Sequence, residues 1–243
     1  MTGRKLIISG LILALTVFTG TTLAAPHLSI DDTEFFFGFA PQNAKITHTF
    51  VLTNTGTDTV KITKVIPGCG CTKAPLEKDV LAAGESTNLE IIFSTGKYSG
   101  RVAKSPKIVT DEGTAPKRIR IISNIVSRPD STYPLLVNPY KIDISQFGDK
   151  VRREMKFKIK NVSKDNLRLS LIDSPGDLVE IDMPAGIRGE EEVEGTITLK
   201  DAALDMNFQK SFTIGVNDAQ SSRFTVPLLR SVRKGHASAS KGD

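Results

Sequence analysis

One pattern is written twice in this chain, and it limits the possible folds more than any other feature. Phe37-Gly38 is followed by Phe50-Val51-Leu52-Thr53-Asn54, and Phe147-Gly148 is followed by Phe157-Lys158-Ile159-Lys160-Asn161. The landmarks recur at offsets of 110 and 107 residues, so the copies differ by one small gap. A period of that size is a whole domain, because solenoid units run to about 20–50 residues. After each Asn comes a polar turn, Thr55-Gly56-Thr57-Asp58 or Val162-Ser163-Lys164-Asp165. After each turn comes an alternating run, 60–65 or 167–171. Two such runs joined by a short polar turn make a β-hairpin.

The remaining segments read as strands too. They cover 87–93, 104–110 and 117–126 in the first copy, and 192–199, 208–216 and 223–229 in the second. Turn residues separate them at intervals typical of β-sandwiches. The chain has no Trp, and Ile, Val, Thr and Leu dominate its apolar runs, which suits sandwich cores better than helical bundles. Pro227 inside the last run predicts an edge position or a bulge. In 35–37, alternation puts Phe35 and Phe37 on one face and Phe36 on the other, as core packing and cover at the domain junction. Residues 127–134, with Pro129 and Pro134, read as a short stiff linker. The expected fold is all-β: two tandem immunoglobulin-like β-sandwich domains, 26–127 and 128–232, after a cleaved signal peptide.

The signal peptide is read from residues 1–24. Arg4 and Lys5 form a basic start, 6–18 is almost wholly apolar, and Thr22-Leu23-Ala24 offers small residues at the cleavage positions. The apolar run falls short of the ~20 residues of a spanning helix. No later segment is apolar enough to span, so the mature chain is expected to be soluble in the periplasm or outside the cell. The net charge of +5 is concentrated at the two ends. Arg4 and Lys5 leave with the signal. Arg230, Arg233, Lys234 and Lys241 against Asp243 put the rest in a C-terminal stretch, of which 233–243 reads as a disordered basic tail. The body between balances to zero, which argues against a nucleic-acid-binding face.

Four elements of the first copy occur in the order of a known family. They are Phe37-Gly38, the run ending at Asn54-Thr55-Gly56, Cys69-Gly70-Cys71-Thr72, and the turn Leu81-Ala82-Ala83-Gly84-Glu85-Ser86. Over about residues 28–126 the chain resembles the exported bacterial domain of unknown function 1573, whose fold is immunoglobulin-like, of the Hydin and major-sperm-protein type. The resemblance implies that fold and export, and it supplies no activity. The second copy keeps Phe147-Gly148 and Asn161 but has no cysteine.

Cys69 and Cys71 are the only cysteines, one residue apart, in Pro67-Gly68-Cys69-Gly70-Cys71-Thr72. Three chemistries remain open. A disulfide needs Cα atoms about 4.4–6.8 Å apart, and a modest bend at Gly70 brings the pair into range. So small a loop gains little stability from closure. Cu(I) accepts thiolates with few ligands, and His48 is the candidate third ligand. Alternation sets His48 on the face of Ile46, Phe50 and Leu52, which equally suits a core histidine, and Met155 holds its place in the second copy. Thiol–disulfide exchange is the third option, with Lys64 and Lys73 near in sequence to favour thiolate, although no thioredoxin-like pattern is present.

No Gly-x-Ser-x-Gly, His-Glu-x-x-His or Walker sequence occurs. Glu190-Glu191-Glu192 reads as a solvated turn, and Asp31-Asp32 lacks the spaced partners of a calcium loop. The expected function is a non-enzymatic exported protein-interaction or structural module, with no catalytic residue and no resident cofactor. Its partner is expected to be another envelope or secreted protein, with copper(I) binding and thiol–disulfide exchange as alternatives.

Overall fold

The computed structural model describes residues 25–233. The residues read as a signal peptide, and those read as a basic tail apart from Arg233, lie outside them. Among the described residues the chain is built of strands, with two single-turn helices at Pro129–Ser131 and Asp201–Ala203.

In the first half the strands are β1 (Leu28–Ile30), β2 (Glu34–Pro41), β3 (Lys45–Asn54), β4 (Val60–Ile66), β5 (Thr72–Lys73) and β6 (Val80–Leu81). β7 (Ser86–Ser94), β8 (Gly100–Lys104), β9 (Lys107–Thr110), β10 (Lys117–Arg118) and β11 (Arg120–Val126) complete it. The second half begins with β12 (Leu135–Asn138), β13 (Ile142–Asp143), β14 (Gln146–Phe147), β15 (Glu154–Asn161) and β16 (Leu167–Asp173). It ends with β17 (Val179–Asp182), β18 (Gly186–Ile187), β19 (Glu192–Leu199), β20 (Phe208–Val216), β21 (Arg223–Arg230) and β22 (Val232–Arg233).

Each half is an immunoglobulin-like β-sandwich. One sheet runs β1-β3-β7-β5 in the first and β12-β15-β19-β17 in the second. Their registers are copies. Thr47 opposite Ile92 becomes Glu154 opposite Thr198, and Thr72 opposite Phe93 becomes Val179 opposite Leu199. Both pairs follow from one shift, 107 residues on the first strand and 106 on its partner. Alternation places Ile46, Phe50, Leu52, Leu89 and Phe93 inside the first core, and Phe157, Ile159, Ile197 and Leu199 inside the second.

Asn54 and Asn161 explain why the pattern carries an Asn at the hairpin. Both are fully buried. The Asn54 amide donates to the carbonyls of Asp58 (2.8 Å) and Leu81 (2.9 Å), and its Oδ1 accepts from Gly56 N–H at 3.0 Å. The Asn161 amide donates to Asp165 (2.7 Å) and Arg188 (2.9 Å), and its Oδ1 accepts from Ser163 N–H at 2.9 Å. Each Asn holds its own turn and a loop 27 residues on.

The copies differ in their other hairpin. β20 and β21 run unbroken, whereas the expected strands 104–110 and 117–126 are each split. β8 and β11 lie in one sheet, and β9 and β10 in another beside β4. The break falls at Ser105-Pro106 opposite Ile119, where the Ile119 N–H still donates to the Pro106 carbonyl at 3.1 Å.

The junction is far more than a linker. β21 of the second sandwich lies parallel to β2 of the first, so that one sheet of order β18-β16-β20-β21-β2-β11-β8 crosses both. Arg223 Nη1 donates to the Phe36 carbonyl at 3.1 Å, and Thr225 Oγ1 donates to the Phe37 carbonyl at 2.6 Å. Thr47 and Ser211 exchange backbone-to-hydroxyl bonds, with Thr47 N–H on Ser211 Oγ at 2.8 Å and Ser211 N–H on Thr47 Oγ1 at 3.2 Å. The Lys210–Glu90 ion pair (2.6 Å) also crosses. Phe35 and Phe37 are buried in the first core, while Phe39 packs on the second core beside Phe224.

Two sequence expectations are corrected here. Pro227 lies on neither an edge nor a bulge, since β21 has neighbours on both sides. It sits between the residue paired with β2 (Phe224) and those paired with β13 (Leu228 and Leu229), so its missing N–H falls in a gap between parallel partners. Arg230, read with the basic C-terminal stretch, is not solvated. It is buried, donating to the carbonyls of Ile144 (2.8 Å), Ala203 (3.2 Å) and Leu204 and to Gln146 Oε1 (3.3 Å). Burial pulls its pKa below the usual arginine value, against the opposing field of Asp205.

Gly38 and Gly148 are the repeated glycine, and both have positive φ, +69° and +86°. A Cβ on Gly38 would lie 2.0 Å from the Arg223 carbonyl oxygen, whereas one on Gly148 meets nothing within 4 Å. Gly38→Ala is therefore expected to cost about 3 kcal/mol or more and Gly148→Ala about 1 kcal/mol, read from urea unfolding. Equal costs would contradict the close approach at the junction. Asn54→Ala and Asn161→Ala should each cost about 1–3 kcal/mol by the same measurement.

Candidate functional site

The Cys69–Cys71 loop leaves the end of β4 and returns as β5. Pro67 ends the strand, and the unusual backbone angle falls on Gly68 (φ +86°), not on Gly70. The turn is closed by Thr72 N–H donating to the Cys69 carbonyl at 3.3 Å, and Ser94 N–H holds the Cys71 carbonyl at 2.8 Å. The two Cα atoms are 5.2 Å apart and the sulfurs are joined as a disulfide. Both cysteines are half-buried, and Cys71 packs against the first core.

The surroundings of the two sulfurs are unequal. Thr72 Oγ1 is 3.3 Å from Cys69 Sγ and 3.8 Å from Cys71 Sγ. Tyr98 OH donates to Cys71 Sγ at 3.6 Å. Lys104 Nζ, on β8, donates to Tyr98 OH at 3.2 Å and stands 4.4 Å from the centre of that ring. The cation that reaches the pair is thus Lys104, through Tyr98, while Lys64 and Lys73 are exposed neighbours in sequence.

His48 is placed elsewhere. Its ring stacks on Phe35 with centroids 3.6 Å apart and meets Phe50 edge-on at 4.7 Å. Its Nδ1 donates to Asp173 Oδ2 at 2.7 Å across the junction. β7 stands between β3 and β5, so the strands of His48 and the cysteine loop are two ladder spacings apart, about 10 Å. No group of three or more His, Cys, Asp or Glu side chains that could hold a metal occurs among the described residues. His48 instead lines a junction cleft of about 320 Å³ with Glu77, Glu90, Asp173 and Lys210.

Tyr98, Lys104 and Asp173 are the participants that sequence reasoning missed. Tyr98 lies 27 residues from Cys71, and Asp173 lies 125 from His48. Only strand pairing brings them together, and no local spacing signals it.

Residues 28–125 match the family described as protein of unknown function DUF1573. The resemblance drawn from Phe37-Gly38, Asn54, the cysteine pair and the Gly84 turn therefore holds, and the match ends where the second sandwich begins. Among solved structures the chain is similar to a protein of unknown function from Porphyromonas gingivalis W83, at 13% identity over 84% of this chain and 99% of that one, with a TM-score of 0.35. It is similar to the ASH/PapD-like domain 7 of human CEP192, at 12% identity over 51% of this chain and 99% of that one, with a TM-score of 0.36. The YadV chaperone is a third, at 11% identity over 82% and 98%, with a TM-score of 0.30. No curated protein matches the chain.

The second sandwich shows what the loop is without its cysteines. The register shift of 107 carries Cys69 to Gly176, Cys71 to Leu178 and Thr72 to Val179. The backbone bond is kept, with Lys200 N–H donating to the Leu178 carbonyl at 2.9 Å as Ser94 does to Cys71. Leu178 is buried in the second core. The paired substitution Cys69→Gly with Cys71→Leu should therefore leave stability within about 1.5 kcal/mol of the original in thermal or urea unfolding. A loss of several kcal/mol would make the disulfide a structural staple.

Proposed function

We propose that the chain is a non-enzymatic exported interaction module, acting in the periplasm or outside the cell on another envelope or secreted protein. The observation that carries this is the free edge of β8. The sheet that crosses both sandwiches ends there, and no described strand pairs with its outer side. A row of unpaired backbone groups on an edge strand is a template for a partner strand. The cysteine loop stands beside that edge, tied to it through Tyr98 and Lys104. Arg101 and Lys104 give the edge positive charge, which suits a partner segment bearing carboxylates. No helix among the described residues is long and apolar enough to cross a membrane.

The welded junction supports the same reading. It fixes the β8 edge and the far end of the second sandwich in one orientation, so a partner meets a preorganised surface. Affinity capture from the native compartment, with the mature chain as bait, is expected to recover one recurrent partner. Successive residues of a strand turn their N–H groups to opposite sides, so of Val102→Pro and Ala103→Pro one removes an outward donor. The folded variant of that kind should lose the partner. Recovery of none by the original chain, or full retention by both proline variants, would refute strand addition at this edge.

A further inference from the structure

We infer that Cys69–Cys71 is an exchangeable disulfide with a fixed polarity, attacked at Cys69 and leaving through Cys71. This goes beyond binding: it gives a docked partner that carries a cysteine thiol a covalent step. Three observations converge on it. The fold does not need the bridge, because Leu178 serves the same register position in the second sandwich with the same backbone bond. The bridge closes a loop with one residue between its ends, which constrains the unfolded chain little. Finally, Tyr98 OH donates to Cys71 Sγ, and Lys104 Nζ donates to Tyr98 OH.

That third feature is confined to the first copy. The shift of 106 on this side carries Tyr98 to Leu204 and Lys104, opposite Ile121, to Lys210, opposite Leu228. The cysteines and the tyrosine beside them are thus replaced together, while the lysine is kept and pairs instead with Glu90 across the junction at 2.6 Å. The hydroxyl that links a lysine to sulfur is present only where the sulfurs are.

The chemistry balances within one encounter. A thiolate of the partner attacks Cys69 Sγ and forms a mixed disulfide, while the Sγ–Sγ bond breaks and its electron pair stays on Cys71 Sγ. A hydrogen-bond donor and a nearby ammonium stabilise the departing thiolate, and a better leaving group speeds exchange. Cys71 packs against the first core, which leaves Cys69 as the outward sulfur. A second thiolate of the partner then attacks the partner's own sulfur in the mixed disulfide and releases Cys69 as thiolate. The partner's two thiols are oxidised to one disulfide, Cys69 and Cys71 are reduced to thiols, and two protons pass from partner to module. One partner is oxidised per bridge, so the step requires no further oxidant and no turnover.

The test uses the oxidised mature chain and reduced glutathione as the probe. The reaction is stopped with acid, free thiols are alkylated, and the adducts are mapped by mass. Glutathione is expected on Cys69 and the alkyl group on Cys71, with a preference of about tenfold. Adducts spread evenly or centred on Cys71, or a pair inert to excess glutathione, would overturn the polarity or the exchange itself. Tyr98→Phe and Lys104→Met should each slow exchange about threefold or more, with the urea midpoint unchanged. Rates equal to the original in the folded variants would remove the relay, and if Tyr98→Phe does not fold, Lys104→Met decides. Failure here leaves partner capture at the β8 edge intact, because capture does not depend on a thiol.

Discussion

The close approach of β2 to β21 is the contact on which the rest of the structure depends. Gly38 has no side chain, so the Arg223 carbonyl can lie where a Cβ would otherwise stand. From that point the Thr225 hydroxyl and the Arg223 guanidinium reach the carbonyls of 36 and 37. Phe39 is then close enough to pack on the second core. The two cores remain distinct, yet the sheet runs through both. Polar groups that would face water in separated domains are paired instead, Thr47 with Ser211, Glu90 with Lys210 and His48 with Asp173. Each pair is modest alone, but together they oppose rotation about the linker.

The same duplicated frame serves two ends. In the second sandwich the hairpin β20–β21 is unbroken and forms the junction. In the first, the equivalent hairpin is split at Ser105-Pro106, and its β8 half becomes the outer edge of the sheet. The cysteine loop, Tyr98 and Lys104 gather at that edge. One copy thus forms the junction, and under the proposed function the other presents the edge.

Much of the frame was legible in the sequence because it follows from local period and a single offset. The hairpin Asn, the alternating runs and the core faces all depend on residues a few positions apart. Asn54 could be recognised as special, though the carbonyl of Leu81 it holds could not. What escaped the sequence was set by long-range pairing. A strand run such as 104–110 gives no sign that its halves join different sheets. Pro227 argues for an edge by its chemistry, yet the gap it occupies exists only because β2 and β13 meet β21 at different heights. Arg230 looks like the start of a basic tail until the carbonyls of Ile144, Ala203 and Leu204 close around it. At the cysteine pair, sequence neighbours suggested Lys64 and Lys73, whereas the fold supplies Lys104 through Tyr98. Charge near a site in sequence says little about charge near it in space.

The sheet that crosses both sandwiches also has a mechanical meaning. Where domains are joined by a bare linker, tension first straightens the linker and then acts on each domain alone. Here β2 and β21 lie parallel and side by side, bonded from 36–39 to 223–225. Tension applied between the two sandwiches loads those bonds and the Thr47–Ser211 bridge together, before the linker at 127–134 can take up the strain. The pair behaves as a short rigid strut, with little extension until the junction gives way as a whole.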